Sequence, residues 1–158
     1  MFTMTGSADR WGLAIFQIAS LLCLLIFSGQ AQASLKDGSY PGLYKVIWVG
    51  GDSDAKIGDK GKFFFEIKDS KLVGINVPGD DVINRAKFRS KVFIEEEKMV
   101  GDIYLDIVEQ GYPITVKMAV EGVVADGAFI GKATISLISV NGTMMGDTPI
   151  EKFIFESN

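Results

Sequence analysis

From Leu43 onward, apolar and polar residues alternate with a period of two, and Gly, Asn, Asp and Pro break the alternation at intervals. Successive side chains of an extended strand point to opposite faces, so this rhythm marks strands buried on one side. Strands are expected near 43–49, 62–69, 71–77, 87–95, 98–108, 113–124, 128–140 and 149–156. One short helix is expected near 80–86, where Pro78-Gly79-Asp80-Asp81 can cap a turn or two. Gly50 to Gly61, G-G-D-S-D-A-K-I-G-D-K-G, reads as a loop.

Two-residue turns fix which residues face each other across a hairpin. A turn at Glu96-Glu97 sets Lys91 opposite Asp102, Arg89 opposite Tyr104 and Lys87 opposite Asp106. The other face then pairs Ile94 with Met99, Ser90 with Ile103 and Phe88 with Leu105. A turn at Gln110-Gly111 continues it through Ile107/Ile114, Leu105/Val116 and Ile103/Met118. Asp126-Gly127, a strong hairpin dipeptide, sets Val124 against Phe129, Val120 against Ala133 and Met118 against Ile135, with Glu121 facing Lys132 on the opposite side. Three consecutive hairpins therefore agree on one apolar face and one face of opposite charges. Asn141-Gly142 makes the next turn, and Pro149 is expected to introduce a bulge. In the last segment, I-E-K-F-I-F-E, the core face belongs either to Phe153 and Phe155 or to Ile150 and Ile154.

The expected fold is all-β: an antiparallel up-and-down meander of about eight strands closing into a small barrel, with a two-sheet β-sandwich as the alternative. The phrase "apolar, apolar, Gly" recurs in K-L-V-G, K-M-V-G and A-F-I-G, placing Gly74, Gly101 and Gly131 after turns at one end of the sheet. Gly122 falls opposite Gly131, so the four are expected to form an inward glycine belt. Such a belt either lets coiled strands bend or leaves room for a ligand at that rim.

The N-terminus follows another pattern. Trp11 to Phe27 is largely apolar, Arg10 precedes it, and Ala31-Gln32-Ala33 offers a small-x-small cleavage site. These are the parts of a secretory signal peptide, so residues 1–33 are expected to be removed and residues 34–158 to form one barrel domain that is secreted or periplasmic. If the segment stays uncleaved it becomes a membrane anchor; otherwise no membrane contact is expected of it.

Composition then excludes chemistry. The chain has no histidine, and its single cysteine, Cys23, lies within the apolar N-terminal run. Nucleophile-plus-base constellations and zinc sites of His and Cys therefore cannot be assembled in residues 34–158. No enzymatic activity, cofactor or metal is expected. The net charge of −4 gives no sign of a nucleic-acid partner. Asp52, Asp54 and Asp59 lie in the loop, but Lys56 and the missing closing Glu spoil a calcium pattern. Arg85, Lys87, Arg89 and Lys91 form a basic stripe, read as a surface largely paired with the aspartates opposite. Asn141-Gly142-Thr143 matches a glycosylation acceptor but is read as a turn.

What remains is binding. The first expectation is a small apolar ligand inside the barrel, lined by Met99, Ile103, Met118, Phe129 and Ile135 and by the glycine belt Gly74, Gly101, Gly122 and Gly131. The second is a protein partner or a second copy, as in a homodimer, docking on an exterior apolar band of Phe93, Val100, Val123 and Ile130. The third is an eight-stranded outer-membrane barrel, which turns the apolar face outward to lipid; missing aromatic girdles speak against it.

Overall fold

The computed structural model describes residues 35–51 and 53–157, all within the unit Ala33–Asn158. The expected signal peptide lies outside the described residues. The unit is nearly all antiparallel β, a single sheet of nine strands with one short helix. The strands are β1 (Gly38–Val49), β2 (Lys60–Lys68), β3 (Lys71–Asn76), β4 (Lys87–Ser90), β5 (Phe93–Glu95), β6 (Lys98–Glu109), β7 (Tyr112–Ala125), β8 (Ala128–Val140) and β9 (Thr143–Ser157). The helix α1 (Asp81–Arg85) sits between β3 and β4.

Hydrogen bonding runs round this sheet in a ring. Each strand from β6 to β9 pairs with the next, β9 pairs with β1, and β1–β2–β3 continues to β5 and back to β6. A two-sheet sandwich is not what forms. The hairpin registers are those the turns dictate: Lys87 pairs with Asp106, Ile103 with Met118, Val120 with Ala133, and Gly122 with Gly131. Gln110-Gly111, Asp126-Gly127 and Asn141-Gly142 each hold both residues at positive φ, as a type I′ turn requires.

Several details depart from simple alternation. The first strand starts at Gly38, earlier than its apolar pattern, because Gly38–Lys45 pairs with Lys60–Ile67. Pro41 is tolerated there, since β9 reaches only to Gly42 and leaves the Pro41 nitrogen side without a strand. The expected strand 87–95 is interrupted at Lys91-Val92. The last strand begins at Thr143 and carries two irregularities, one near Gly146-Asp147 and one beside Pro149 where Ile150 is skipped. That second bulge decides the open question: Phe155 is buried and Phe153 packs on the core, while Ile154 is exposed.

The apolar face points inward. Met99, Ile103, Val120, Val124 and Phe129 are all buried. The ion pairs Arg89–Asp106 (2.8 Å) and Glu121–Lys132 (3.1 Å) stand on the outside. This orientation is the reverse of a lipid-facing barrel.

The two ends of the interior are filled differently. At the end of the Asp69-Ser70, Glu96-Glu97 and Asp126-Gly127 turns, aromatic rings fill the space. The Phe63 and Phe65 centroids lie 4.5 Å apart, and Phe65 stands 5.4 Å from Phe129 and 5.7 Å, edge-on, from Phe155. Glycines let these rings lie across the neighbouring strands. A Cβ on Gly42 would come within 2.3 Å of the Phe63 ring, and one on Gly131 within 2.6 Å of Phe155. An aromatic ring folded over a cross-strand glycine covers the backbone that the glycine exposes. Leu35 is buried there too, and the Asp37 carboxylate accepts a hydrogen bond from the Asp69 amide.

Candidate functional site

At the opposite end the interior is hollow. A cavity of about 250 Å³ is lined from all round the ring: Phe63, Phe65 and Ile75 on one side, Leu105, Val116, Met118 and Ile135 on the other, and Phe153 from β9. Val77 and Ile83 close it beside α1, and three polar side chains, Tyr44, Asp80 and Glu151, complete the lining.

Local sequence positions each polar group. Asp80 is the N-cap of α1, its Oδ1 accepting from the Ile83 amide at 2.9 Å. Asn84 ties the helix back to β3: its Oδ1 accepts from the Val77 amide at 2.8 Å and its Nδ2 donates to the Val77 carbonyl at 2.9 Å. These bonds set Val77, Asp80 and Ile83 as one unit against the cavity. Glu151 shares the inward parity of Phe153 and Phe155, and its Oε1 accepts from the Ser53 hydroxyl at 2.6 Å. The 50–59 loop that supplies Ser53 is itself pinned to β1 by Gly58 N to Val46 O at 2.9 Å and Val46 N to Asp59 O at 2.8 Å. The Tyr44 ring lies over Gly61, its cross-strand partner, and stands 5.8 Å from Phe153. Burial pushes the Tyr44 phenol above its ordinary value, and the charges of Asp80, Glu151 and Asp59 push it further the same way.

Of the residues expected to line a ligand space, Met118 and Ile135 border this cavity. Met99, Ile103 and Phe129 are buried in the packed region instead. The glycines do not form one inward belt. The β2–β3 ladder pairs Leu72 with Ile67 and then Gly74 with Glu66, skipping Val73. This bulge turns Gly74 outward, where a Cβ would meet the Glu66 side chain at 3.0 Å, and brings Ile75 inward opposite Phe65. Gly101, Gly122 and Gly131 share the inner face, but backbone occupies the room they leave. A Cβ on Gly101 (φ 145°) would fall 2.1 Å from the Lys91 carbonyl oxygen, one on Gly122 2.8 Å from that of Ile130, and one on Gly131 2.5 Å from that of Glu121. The belt is a set of close backbone approaches and not a ligand rim.

Tyr44, Leu105, Val116, Asp80 and Glu151 were not singled out as lining residues from sequence. Leu105 and Val116 were legible as a cross-strand pair on the inner face. Glu151 was signalled by its parity with the two phenylalanines, a charge on an otherwise apolar face. Asp80 had no periodic signal, because a helix connection places it.

The exterior band is as expected in register. Phe93 pairs with Val100, Val123 pairs with Ile130, and Val100 lies opposite Glu121, diagonal to Val123. All four are exposed, between 46% and 59%. Ile130 continues into an open exterior groove of about 230 Å³ shared with Leu43 and Ile154. The basic stripe is broken up: Arg85 lies in α1 and pairs with Asp81 at 3.4 Å, whereas Arg89 reaches Asp106 diagonally and stacks over Tyr104. In the loop, Asp59 accepts from the Lys56 amide at 2.8 Å, closing a turn, and Asp52 lies outside the described residues.

No family model, curated protein or solved structure matches the chain.

Proposed function

We propose that this protein is a non-enzymatic binding module of the exported compartment, and that it holds one small apolar ligand within its ring. The observation that supports this reading is the cavity at one end of an otherwise well-packed interior. Well-packed cores rarely retain voids beyond the size of a water. An apolar cavity of 150 Å³ suffices for a benzene, so about 250 Å³ accommodates a compact molecule of roughly ten heavy atoms. β3 and β4 share no ladder, so the wall between them is closed by α1 with Val77 and Ile83, and this seam is the path inward.

Native mass spectrometry of protein purified from its own host, alongside titration with a hydrophobic dye, tests the reading. A co-purifying small molecule, or dye binding that Val116→Phe abolishes, supports it. No ligand and no dye binding together overturn it.

The exterior band supports a second reading, a docking surface for a protein or a second copy. Exposed, cross-strand-paired Phe93, Val100, Val123 and Ile130 adjoining Leu43 and Ile154 are its basis. The double change Val100→Lys and Ile130→Lys is expected to alter oligomeric state or partner capture; no change in either counts against it.

A further inference from the structure

The cavity is chemically lopsided. Most of its lining residues are aliphatic or aromatic, and the polar residues among them are Tyr44, Asp80 and Glu151. Among the described residues no lysine or arginine lines it, and neither carboxylate makes an ion pair. Resting on the reading of this cavity as a ligand site, we propose that its occupant is a small amphiphile with a cationic amine at one end, and that carboxylate-headed amphiphiles are rejected.

Three features carry this. Both carboxylates are held in place before any ligand arrives, Asp80 by the Ile83 amide and Glu151 by the Ser53 hydroxyl. Each of those bonds uses one oxygen, and an ionised carboxylate offers about four lone-pair sites, so accepting capacity remains for an N–H donor. An ammonium carries three such donors and no acceptor, whereas a ligand carboxylate brings only acceptors and a like charge. Second, aromatic rings share the lining with the two acidic residues: Tyr44 and Phe153 both line the cavity with ring centroids 5.8 Å apart. Their π-faces attract a cation and do nothing for an anion. Third, the negative charge is felt inside, since Asp80 and Glu151 both make the Tyr44 phenol harder to ionise, adding to the effect of its burial.

The test is calorimetric titration of the full-length protein at pH 7 with octylamine, octanol and octanoate, which share a chain and differ in head group. Octylamine is expected to bind at least tenfold more tightly than octanoate, with octanol between them. In the double variant Asp80→Asn, Glu151→Gln that preference is expected to collapse. Asn caps a helix about as well as Asp, so the variant retains α1, and an unchanged melting curve verifies this. Equal binding of all three, abolished by Val116→Phe, overturns the amine inference and leaves the cavity reading standing. Binding of none of them overturns both, and tighter binding of octanoate overturns the inference outright.

Discussion

The two ends of the ring's interior are built from the same strands, yet one is solid and the other hollow. On β7, Val120 and Val124 are buried at the solid end, while Val116 two steps further lines the cavity. On β9, Phe155 lies over Gly131 and Phe153, the next inward residue, borders the void. What differs is the partner across the ring. At the solid end glycines admit four phenylalanine rings into mutual contact, whereas at the hollow end the cap of a five-residue helix brings Asp80 to the rim and a loop reaches over to bond Glu151 of β9. Strand alternation decides what points inward; the connections decide whether the space is filled.

The comparison can be broken most severely at the solid end. Phe155→Ala is expected to cost ~3–5 kcal/mol of stability, because a ring packed among Phe63, Phe65 and Phe129 leaves a void that cannot collapse. Phe153→Ala should cost distinctly less, since part of that ring already faces open space; urea unfolding of both variants measures the gap. Similar costs would mean that the two ends are equally packed.

Enlargement gives the converse. Val120→Phe forces a ring into filled space and should destabilise by ~1–3 kcal/mol, whereas Val116→Phe on the same strand enters the cavity and should change stability by less than about 1.5 kcal/mol. Chemical denaturation of the pair checks this, and only the second change should abolish dye binding.

Charge on the outer face is a smaller matter. Asp147 is held below the usual carboxylate range by its hydrogen bond from Lys117, and Asp106 is lowered because bonds from Arg89 and Thr115 outweigh the opposing effect of burial. A depressed folded value stabilises above the unfolded pKa of ~3.9 and is lost as pH falls through the folded value. Asp147→Asn should therefore cost up to ~1 kcal/mol at pH 7 and nothing at pH 2, by thermal melts across that range.

The smallest effect sharpens the hollow end alone. Tyr44 should ionise above the ordinary phenol value of ~10, as read by difference absorbance against Tyr44→Phe. A raised folded value means that the stability tied to the neutral phenol is lost as pH climbs above ~10. Glu151→Gln should move the transition downward, because one of the opposing charges is gone.

Much of this architecture was legible before any coordinates. Two-residue turns at 96–97, 110–111, 126–127 and 141–142 lock register, so pairs such as Gly122 with Gly131 followed from counting alone. Counting failed where the ladder slips. The skipped Val73 inverted the parity of Gly74 and Ile75, and the irregularities at 146–147 and 150 left the last strand undecided. The cavity's polar groups were hidden for a related reason. Asp80 is delivered by a helix cap that obeys no period of two, and the parity of Glu151 with Phe153 and Phe155 carries information only once the inward face of the last strand is decided.

The pairing of β1 with β9 has a consequence for how the chain is made. Leu43 bonds opposite Glu156, and Tyr44 opposite Phe155, so one flank of the earliest strand awaits the latest. At translation rates of ~5–20 residues per second, β1 waits on the order of 5–20 s with that flank unpaired. Such an edge is a template for pairing with another chain. Nascent chains stalled before β9 should thus be the most aggregation-prone species this gene product passes through, and the fifteen residues of β9 act as the clasp that ends the exposure.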